Sequence, residues 1–498
     1  MLFAEVVATS AAVAATRSRK AKIEALADLQ RRLAPEEVEP VVAWLAGEPR
    51  QGRIGTGWRT LAAVDVSPAD TPALDVAAVD AALDDLAGTS GPGSGQRRAD
   101  TLGRLVGAAT ADEQTFLRRL LTGELRQGAL EGIMVDAVAT ASGCPLDVVR
   151  RAFMLSGRLP ATAAAALGGG STALAEIGLQ VGRAVRPMLA SPAGSLDEAL
   201  AELGADVSVE YKLDGARIQV HRDGTDVGVY TRSLREITGG VPELVAWALA
   251  LSCRSVVLDG ESLALTDEGR PRPFQESVSL TGSGVQRPNV FDCLHLDGQD
   301  LIDAPLIDRL EALTTVAARE RIPAAIRPDP AAAAAVLGDS LAAGHEGVMV
   351  KSLASPYAAG RRGRAWQKVK PVHTFDLIVI GVEWGYGRRT GMLSNIHLGA
   401  LDPESGEPVM VGKTFKGMTD ALLAWQTVTF PELSTGTDGH VVYLRPELVV
   451  EIALDGVQRS TRYPGGLALR FARVLRYRPD KSPAEADTLT ALRALLPA

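Results

Sequence analysis

Apolar positions recur every three or four residues through the first third of the chain. KIEALADLQRRL (22–33) and EQTFLRRLLTGEL (113–125) each place them on one helical face. Alanine, the strongest intrinsic helix former, is abundant around them. Residues 1–186 are therefore predicted to be all-α. The stretch GTSGPGSGQRR (88–98) reads as a flexible loop within this region, and GGGS (168–171) as a helix breaker. In the opening MLFAEVVATSAAVAATRSRKAKIE, Glu5 interrupts the apolar run and the basic cluster follows it instead of preceding it. This pattern reads as a helix, not a signal peptide.

Two prolines in RAVRPMLASPA (183–193) end the helical pattern. From 187 to 372, alternating runs such as RSVVLDGESLAL, RPNVFDCLHLDG and EGVMVKS mix with helical ones such as PLIDRLEALTTVAARE, which predicts an α+β unit. A second change falls at KPVHTFDLIVIGVEWGYG. Residues 373–498 alternate in short strands, with frequent glycines and one helical stretch, TDALLAWQTV. That pattern suits a small β-barrel. The fold class is thus multidomain: all-α, then α+β, then β-barrel. GEPVMVGKTFKG (406–417) ends like a phosphate-binding loop, but its first glycine stands one residue too far away and its Pro-Val-Met-Val is strand-like. It reads as a strand.

One stretch of the middle unit carries an anomaly. In VSVEYKLDGARIQVHRDG, beginning at Val207, Val207, Val209 and Tyr211 alternate with Ser208, Glu210 and Lys212. Asp214-Gly215 reads as a tight turn, after which Ala216, Ile218 and Val220 resume the alternation. The pattern predicts a hairpin that presents Lys212 just before its turn. Such a lysine is either a solvated strand residue or a covalent nucleophile. The histidines, His221 among them, read as surface residues with no assigned role.

Composition narrows the choice. The chain has 498 residues, 46% of them hydrophobic, and a net charge of −8. Its length fits about three domains. Cys144, Cys253 and Cys293 share no C-x-x-C spacing, which argues against a disulfide framework or a four-cysteine zinc site and fits a reducing cytosol. No apolar run approaches the ~18 residues of a membrane span. The average charge argues against nucleic acid, but the local charge does not. TRSRKAK (16–22) and RRGRAWQKVK (361–370) hold basic residues and no acid, and RFARVLRYRPDK (470–481) holds Asp480 alone against five. Such acid-poor runs are local footprints for an anionic partner.

A lysine attacks only as the free amine, and its reference pKa near 10.4 leaves roughly one in a thousand deprotonated at neutral pH. Neighbouring cations and a bound metal can supply the shift it needs. The chain offers carboxylates at Glu261 in LDGES and Glu346 in HEGVMVK, followed by Lys351, Lys368 and Lys370. Lys368 and Lys370 share one strand face.

YKLDGAR resembles the K-x-D-G-x-R signature of the covalent nucleotidyltransferases. LDGES, FDCLHLDG, EGVMVK, WQKVK and LRFARVLRYRPDK follow in that superfamily's order over about 270 residues. The chain is identified as resembling the three-domain bacterial and archaeal type of ATP-dependent DNA ligase, in which ATP is a substrate. The resemblance implies a helical DNA-binding domain (1–186), an adenylylation domain (187–372) and an OB-fold domain (373–498). It implies that Lys212 takes AMP from ATP, passes it to the 5′-phosphate at a nick, and that the 3′-hydroxyl then seals the strand, in DNA replication, repair and recombination. Glu210 would contact the adenine or its lysine partner, Arg217 and Arg232 the ribose and phosphates, and Phe291 the base. Arg362 and Lys368 would hold ATP phosphates, Glu261 and Glu346 Mg²⁺ (or Mn²⁺), and Arg478 and Lys481 the leaving pyrophosphate. Arg17, Arg19, Lys20, Arg50 and Arg53 would grip DNA phosphates. The implied partner is nicked double-stranded DNA, encircled by a monomer, at the nucleoid in the cytoplasm and not at a membrane. Ala472 stands where the family often has proline. An RNA ligase or an mRNA-capping guanylyltransferase would use the same lysine chemistry and stays open as an alternative. A nick-binding protein without catalysis would not need Lys212, Glu261, Glu346, Lys368 and Lys370 together.

Overall fold

The computed structural model describes every residue except 53, 56–59, 62–63, 65, 126–130, 265–285, 359–361 and 497–498. The helical region contains α1 (Phe3–Ala15), α2 (Arg19–Gln30), α3 (Pro35–Ala46), α4 (Val76–Gly88), α5 (Ser94–Gly107), α6 (Ala111–Leu121), α7 (Glu131–Ser142), α8 (Leu146–Ser156) and α9 (Leu159–Ala175). Their apolar stripes share one core. Phe3 anchors it, edge-on to Trp44 at 5.6 Å and to Phe116 at 5.5 Å, a geometry that aromatic quadrupoles favour. Local signals set the ends: Ser18 caps α2, Asp75 caps α4, and Thr110 with Glu113 forms a capping box on α6.

One expectation fails here and one holds. The stretch 88–98 is not all loop, because α5 begins inside it at Ser94. Leu102, Leu105 and Val106 bury one face of that helix, and tertiary burial outweighs the poor propensity of its first turn. The breaker expected at 168–171 is present: Gly170 takes φ 61° and ψ −150°, outside the helical range, and α9 is two helical pieces joined across a kink there, the second running to Ala175.

The middle region folds as two sheets. Its strands are β1 (Leu189–Pro192), β2 (Val207–Lys212), β3 (Ala216–Asp223), β4 (Asp226–Thr231), β5 (Ser255–Ala264), β6 (Gln286–Leu296), β7 (Gln299–Asp300), β8 (Ala324–Ile326), β9 (Gly347–Ser352) and β10 (Arg362–Val369). One sheet runs β1-β10-β9-β2-β8 and the other β4-β3-β5-β6-β7. The expected hairpin around Asp214-Gly215 is therefore absent: β2 pairs with β8 and β9, and β3 with β4 and β5. Period-two patterning marks each strand as half-buried but does not name its partner. The chain crosses between sheets at Leu213-Asp214-Gly215, where a Cβ on Gly215 would meet Ser262 O at 2.7 Å. The hairpin turn lies one Asp-Gly later, at Asp223-Gly224, with Gly224 at φ 59°. His221, expected at the surface, is 1% exposed on β3.

The C-terminal region is sheet-rich: β11 (His373–Trp384), β12 (Leu393–Leu401), β13 (Pro408–Thr414), β14 (Ser434–Asp438), β15 (Val441–Leu454), β16 (Gly456–Arg459), β17 (Leu467–Arg470) and β18 (Arg473–Tyr477). The main sheet runs β13-β12-β11-β15-β14, with β18 also on β15, and β16 pairs with β17 apart from it. Among the described residues this hydrogen-bonded path does not close, unlike the expected barrel. Alternation predicts strands and says nothing of closure.

Across β11, β12 and β13, the Glu383 carboxylate accepts from Asn395 Nδ2 (2.6 Å), His397 Nε2 (3.0 Å) and Lys413. Burial works to raise its pKa, and the three donors overcome that and pull it down to about 2. A carboxylate held below its unfolded value near 4.5 contributes stability above that pH and loses it as pH falls through the folded value. Glu383→Gln should therefore destabilise the protein by roughly 1–2 kcal/mol at pH 7. In urea unfolding at stepped pH, that difference should shrink between about 4.5 and 2. A penalty constant down to pH 2 would mean that the charge plays no part.

Candidate active site

A cleft of about 550 Å³ opens where the two middle sheets meet. Lys212 ends β2 at its floor, paired in register with Gly347 of β9. Glu346 N donates to Lys212 O at 3.0 Å, which brings the Glu346 side chain under Lys212 Nζ, and the two form an ion pair. Lys370 Nζ takes the other oxygen of Glu346 at 2.7 Å. Burial works to raise the Glu346 pKa, but the two lysines outweigh it and hold the carboxyl low. Gly347 makes this approach possible, because a Cβ there would stand 2.2 Å from Val369 O.

The wall beside Lys212 is β3 and β5. Arg217 Nε and Nη2 clasp Asp259 at 3.0 and 2.6 Å, and Nη1 donates to Met188 O at 2.7 Å. Tyr357 Oη adds a bond to the same Asp259 at 2.6 Å. Burial opposes the charge of Arg217, and Asp259 reverses the effect and raises its pKa. Glu261 pairs in register with Arg217. Its carboxyl is pushed up to about 8, first by burial and despite Arg217 and Lys212, and its Oε2 is buried without a hydrogen-bond partner.

The inner wall holds a second ion pair, Glu210 with Lys351, at 2% and 1% exposure. Burial raises the Glu210 pKa, with Lys351 opposing. Lys351 Nζ sits 4.2 Å from both the Phe291 and the Trp366 ring centroids, where the ring faces attract a cation. Phe291, expected against a base, is both core and wall, at 8% exposure. Arg232 and Lys368 also line the cleft. The structure thus brings together Lys212, Glu210, Arg217, Arg232, Glu261, Phe291, Glu346 and Lys368. The side chain of Arg362 lies outside the described residues; its backbone opens β10 beside Leu189.

Sequence reasoning gave no role to several residues here. Trp366 stands two residues before Lys368 and four before Lys370, so strand alternation could have found it. Asp259 and Tyr357 meet across 98 positions, and no local pattern announces that pair.

Three family models match the chain: "DNA ligase N terminus" over residues 58–139, "ATP dependent DNA ligase domain" over 187–370, and "ATP dependent DNA ligase C terminal region" over 389–481. The chain is 67% identical to a Rhodococcus jostii protein named "Probable DNA ligase", with both chains covered in full. A Nocardia farcinica protein of the same name is 63% identical, again over all of both chains. The chain belongs to the ATP-dependent DNA ligases. A solved structure described as Pmar-Lig_PreS3 shares the fold, with a TM-score of 0.62 at 16% identity over 95% of this chain and 99% of that one. The enzyme forms phosphodiester bonds, and the RNA-ligase and mRNA-capping alternatives are set aside.

The ligase's C-terminal region meets the cleft through Arg470 and Phe471. Arg470 Nη1 reaches Asp214 Oδ2 at 3.1 Å, and Lys370 Nζ lies 3.8 Å from Asp455. Arg478 and Lys481, expected over the leaving group, are elsewhere: both bind Asp376 of β11, at 3.1 and 2.5 Å. Of the DNA-contact candidates, Arg19 pairs through one nitrogen with Asp136 at 2.7 Å and stays exposed, and Arg50 pairs with Asp80 and Asp84. Arg17 and Lys20 are exposed, and Arg53 lies outside the described residues. No described helix is long and apolar enough to cross a membrane.

The crossing at Gly215 generates a test. An added Cβ would meet Ser262 O at 2.7 Å and Leu263 Cδ2 at 2.9 Å, so Gly215→Ala must displace the segment that carries Lys212. ATP-dependent sealing of a nicked duplex should fall roughly tenfold or more, since misplacement by about 1 Å costs that much. Sealing at the unaltered rate would show that the crossing tolerates the shift.

Proposed function

We propose that the ligase acts through a lysyl-AMP intermediate on Lys212. The observation that carries this reading is the convergence of Lys212, Glu346 and Lys370 at the floor of one cleft, with Arg217 and Glu261 on its wall. Lys212 Nζ, once deprotonated, attacks the α-phosphorus of ATP. The bond to the β-phosphate oxygen breaks, pyrophosphate leaves, and a phosphoramidate forms. AMP then passes to a DNA 5′-phosphate, and the 3′-hydroxyl displaces it. An ammonium held by a carboxylate is no nucleophile, so Glu346 must release Lys212 before attack. Glu210 and Lys351 would meet the adenine edge, with Phe291 beside the base. Arg217 and Arg232 would hold ribose and phosphate oxygens, and Lys368 and Arg362 the ATP phosphates.

Glu261 and Glu346 suit a hard divalent cation such as Mg²⁺ or Mn²⁺. The unpartnered, buried Oε2 of Glu261 supports the fit. Among the described residues no three His, Cys, Asp or Glu side chains converge, so phosphate and water would complete the shell. Once bound, the ion neutralises charge on the phosphates.

In the same reading, residues 1–186 bind DNA, 187–372 carry adenylylation and 373–498 form an OB-type unit. A monomer would encircle nicked duplex DNA, with Mg²⁺ as its cofactor, and its place in the cell would follow from that substrate, at the nucleoid. VKPVHTFD, joining the last two units, would be the hinge that lets the tail visit ATP in the first step and leave for DNA in the next.

Two results test this. Intact mass after incubation with ATP and Mg²⁺ should show one added AMP, absent in Lys212→Ala; an adduct in that variant would overturn the assignment. For the tail, deleting residues beyond 470 would also remove Val474, Leu489 and Leu492 from the C-terminal core, so point variants are cleaner. Arg478→Ala with Lys481→Ala should slow lysyl-AMP formation at least tenfold, in the range of lost phosphate clamps. It should leave sealing of a pre-adenylylated nick within about threefold, that step having no pyrophosphate to stabilise. Equal loss of both would make the tail structural.

A further inference from the structure

The segment between the helical region and β1 is held by one face of β3. Arg217, Gln219 and His221 alternate along that strand, so their side chains share a face. Each grips the backbone of the segment at three-residue intervals. His221 Nδ1 accepts from Gly182 N at 3.1 Å, and Tyr230 Oη donates to Gly182 O at 2.6 Å. Gln219 bonds both sides of Val185, accepting from its N–H at 2.7 Å and donating to its C=O at 2.8 Å. Arg217 takes Met188 O at 2.7 Å, while Met188 N donates to Tyr357 Oη at 3.0 Å. The segment thus runs opposite to β3 and is paired by side chains where a sheet would use backbone.

The orientation of these groups is determined by their partners. Gln219 Oε1 accepts from Val185 N–H, so its amide nitrogen faces Val185 O, and His221 Nε2 donates to the same Oε1 at 3.0 Å. That leaves Nδ1 as the acceptor for Gly182. Burial pushes the His221 pKa down to about 3, which keeps the ring neutral in this role.

The segment's far end is the cleft. Met188, Leu189 and Ala190 line it. Val185 and Met188, at 0% and 2% exposure, pack in one cluster with Phe291, Trp366 and the α8 residues Met154 and Leu155. Arg186 N also donates to Met154 O at 3.0 Å.

We propose that Gly182–Ala190 is a strap forming one wall of the nucleotide pocket, and that Gln219, His221 and Tyr230 are positioning residues that set the wall without touching ATP. The strap joins the helical region to the pocket, so a cut near residue 186 would strip the wall itself rather than remove an independent module. The proposal rests on the reading of the cleft as the ATP site.

The test uses the full chain. Gln219→Leu keeps the volume and removes all three bonds, leaving Val185 N–H and C=O without their side-chain partners. The half-saturating ATP concentration for lysyl-AMP formation should rise about tenfold, with the maximal rate within about threefold, the pattern of lost ground-state binding. If that variant fails to fold, Tyr230→Phe removes a single hydroxyl and should give a rise of about threefold. His221→Leu should behave like Gln219→Leu, and His221→Asn, which restores an acceptor, should recover part of the loss. A lowered Tm with unaltered ATP dependence in the folded variants would overturn the proposal and make the contacts purely structural. An AMP adduct on Lys212→Ala, run in parallel, would instead bring down the reading of the pocket.

Discussion

The catalytic geometry depends on one close passage of backbone. Between Lys212 and Ala216 the chain leaves one sheet and enters the other, pressed so tightly against Ser262 and Leu263 that only glycine fits at 215. The passage sets the end of β2 beside the start of β3. Two strand pairings then do the rest. β2 with β9 delivers Glu346 to Lys212 across 134 positions, and β3 with β5 delivers Glu261 to Arg217. Groups distant in sequence become neighbours through register alone, which is what a rigid scaffold contributes to a site.

This explains what was legible beforehand. Helices and strands were readable because burial of one face imposes a period on the residues, as in EQTFLRRLLTGEL and VSVEYK. Motif residues were readable as an ordered set, and the structure draws eight of them to one cleft. Partner choice was not readable: the same alternation that marks β2 and β3 fits a hairpin as well as two sheets. Contacts made by single side chains across long separations were also hidden. Tyr357 on Asp259, and Gln219 on Val185, follow from packing and leave no pattern in their neighbours. His221 shows the same limit, since composition places a lone histidine outside and only the fold shows its buried partners. The charge runs were legible as runs, but the internal pairing of Arg19 and Arg50 was not.

The cleft keeps its carboxyl groups in different states by different means. Glu346 lies between two lysines and stays ionised. Glu261 is buried with an orphan oxygen and held toward the neutral form. Glu210 is sealed against a single lysine that two aromatic rings enclose. Opposed shifts within one pocket are the mark of groups set to different tasks. They also show why total charge says little about this protein: a net −8 coexists with a floor that is locally cationic.

Asp376 has a further consequence for the tail. It is 8% exposed and sits on β11, the first strand of the region that carries Arg478 and Lys481. Both cations bind it at 3.1 and 2.5 Å, so they do not wait in water. Arg478 is held by Asp480 as well, at 2.6 Å, so a leaving anion captured by that pair would displace carboxylate bonds already made, and part of its Coulomb gain would be cancelled. Asp376 would thus compete with any anion offered to that pair.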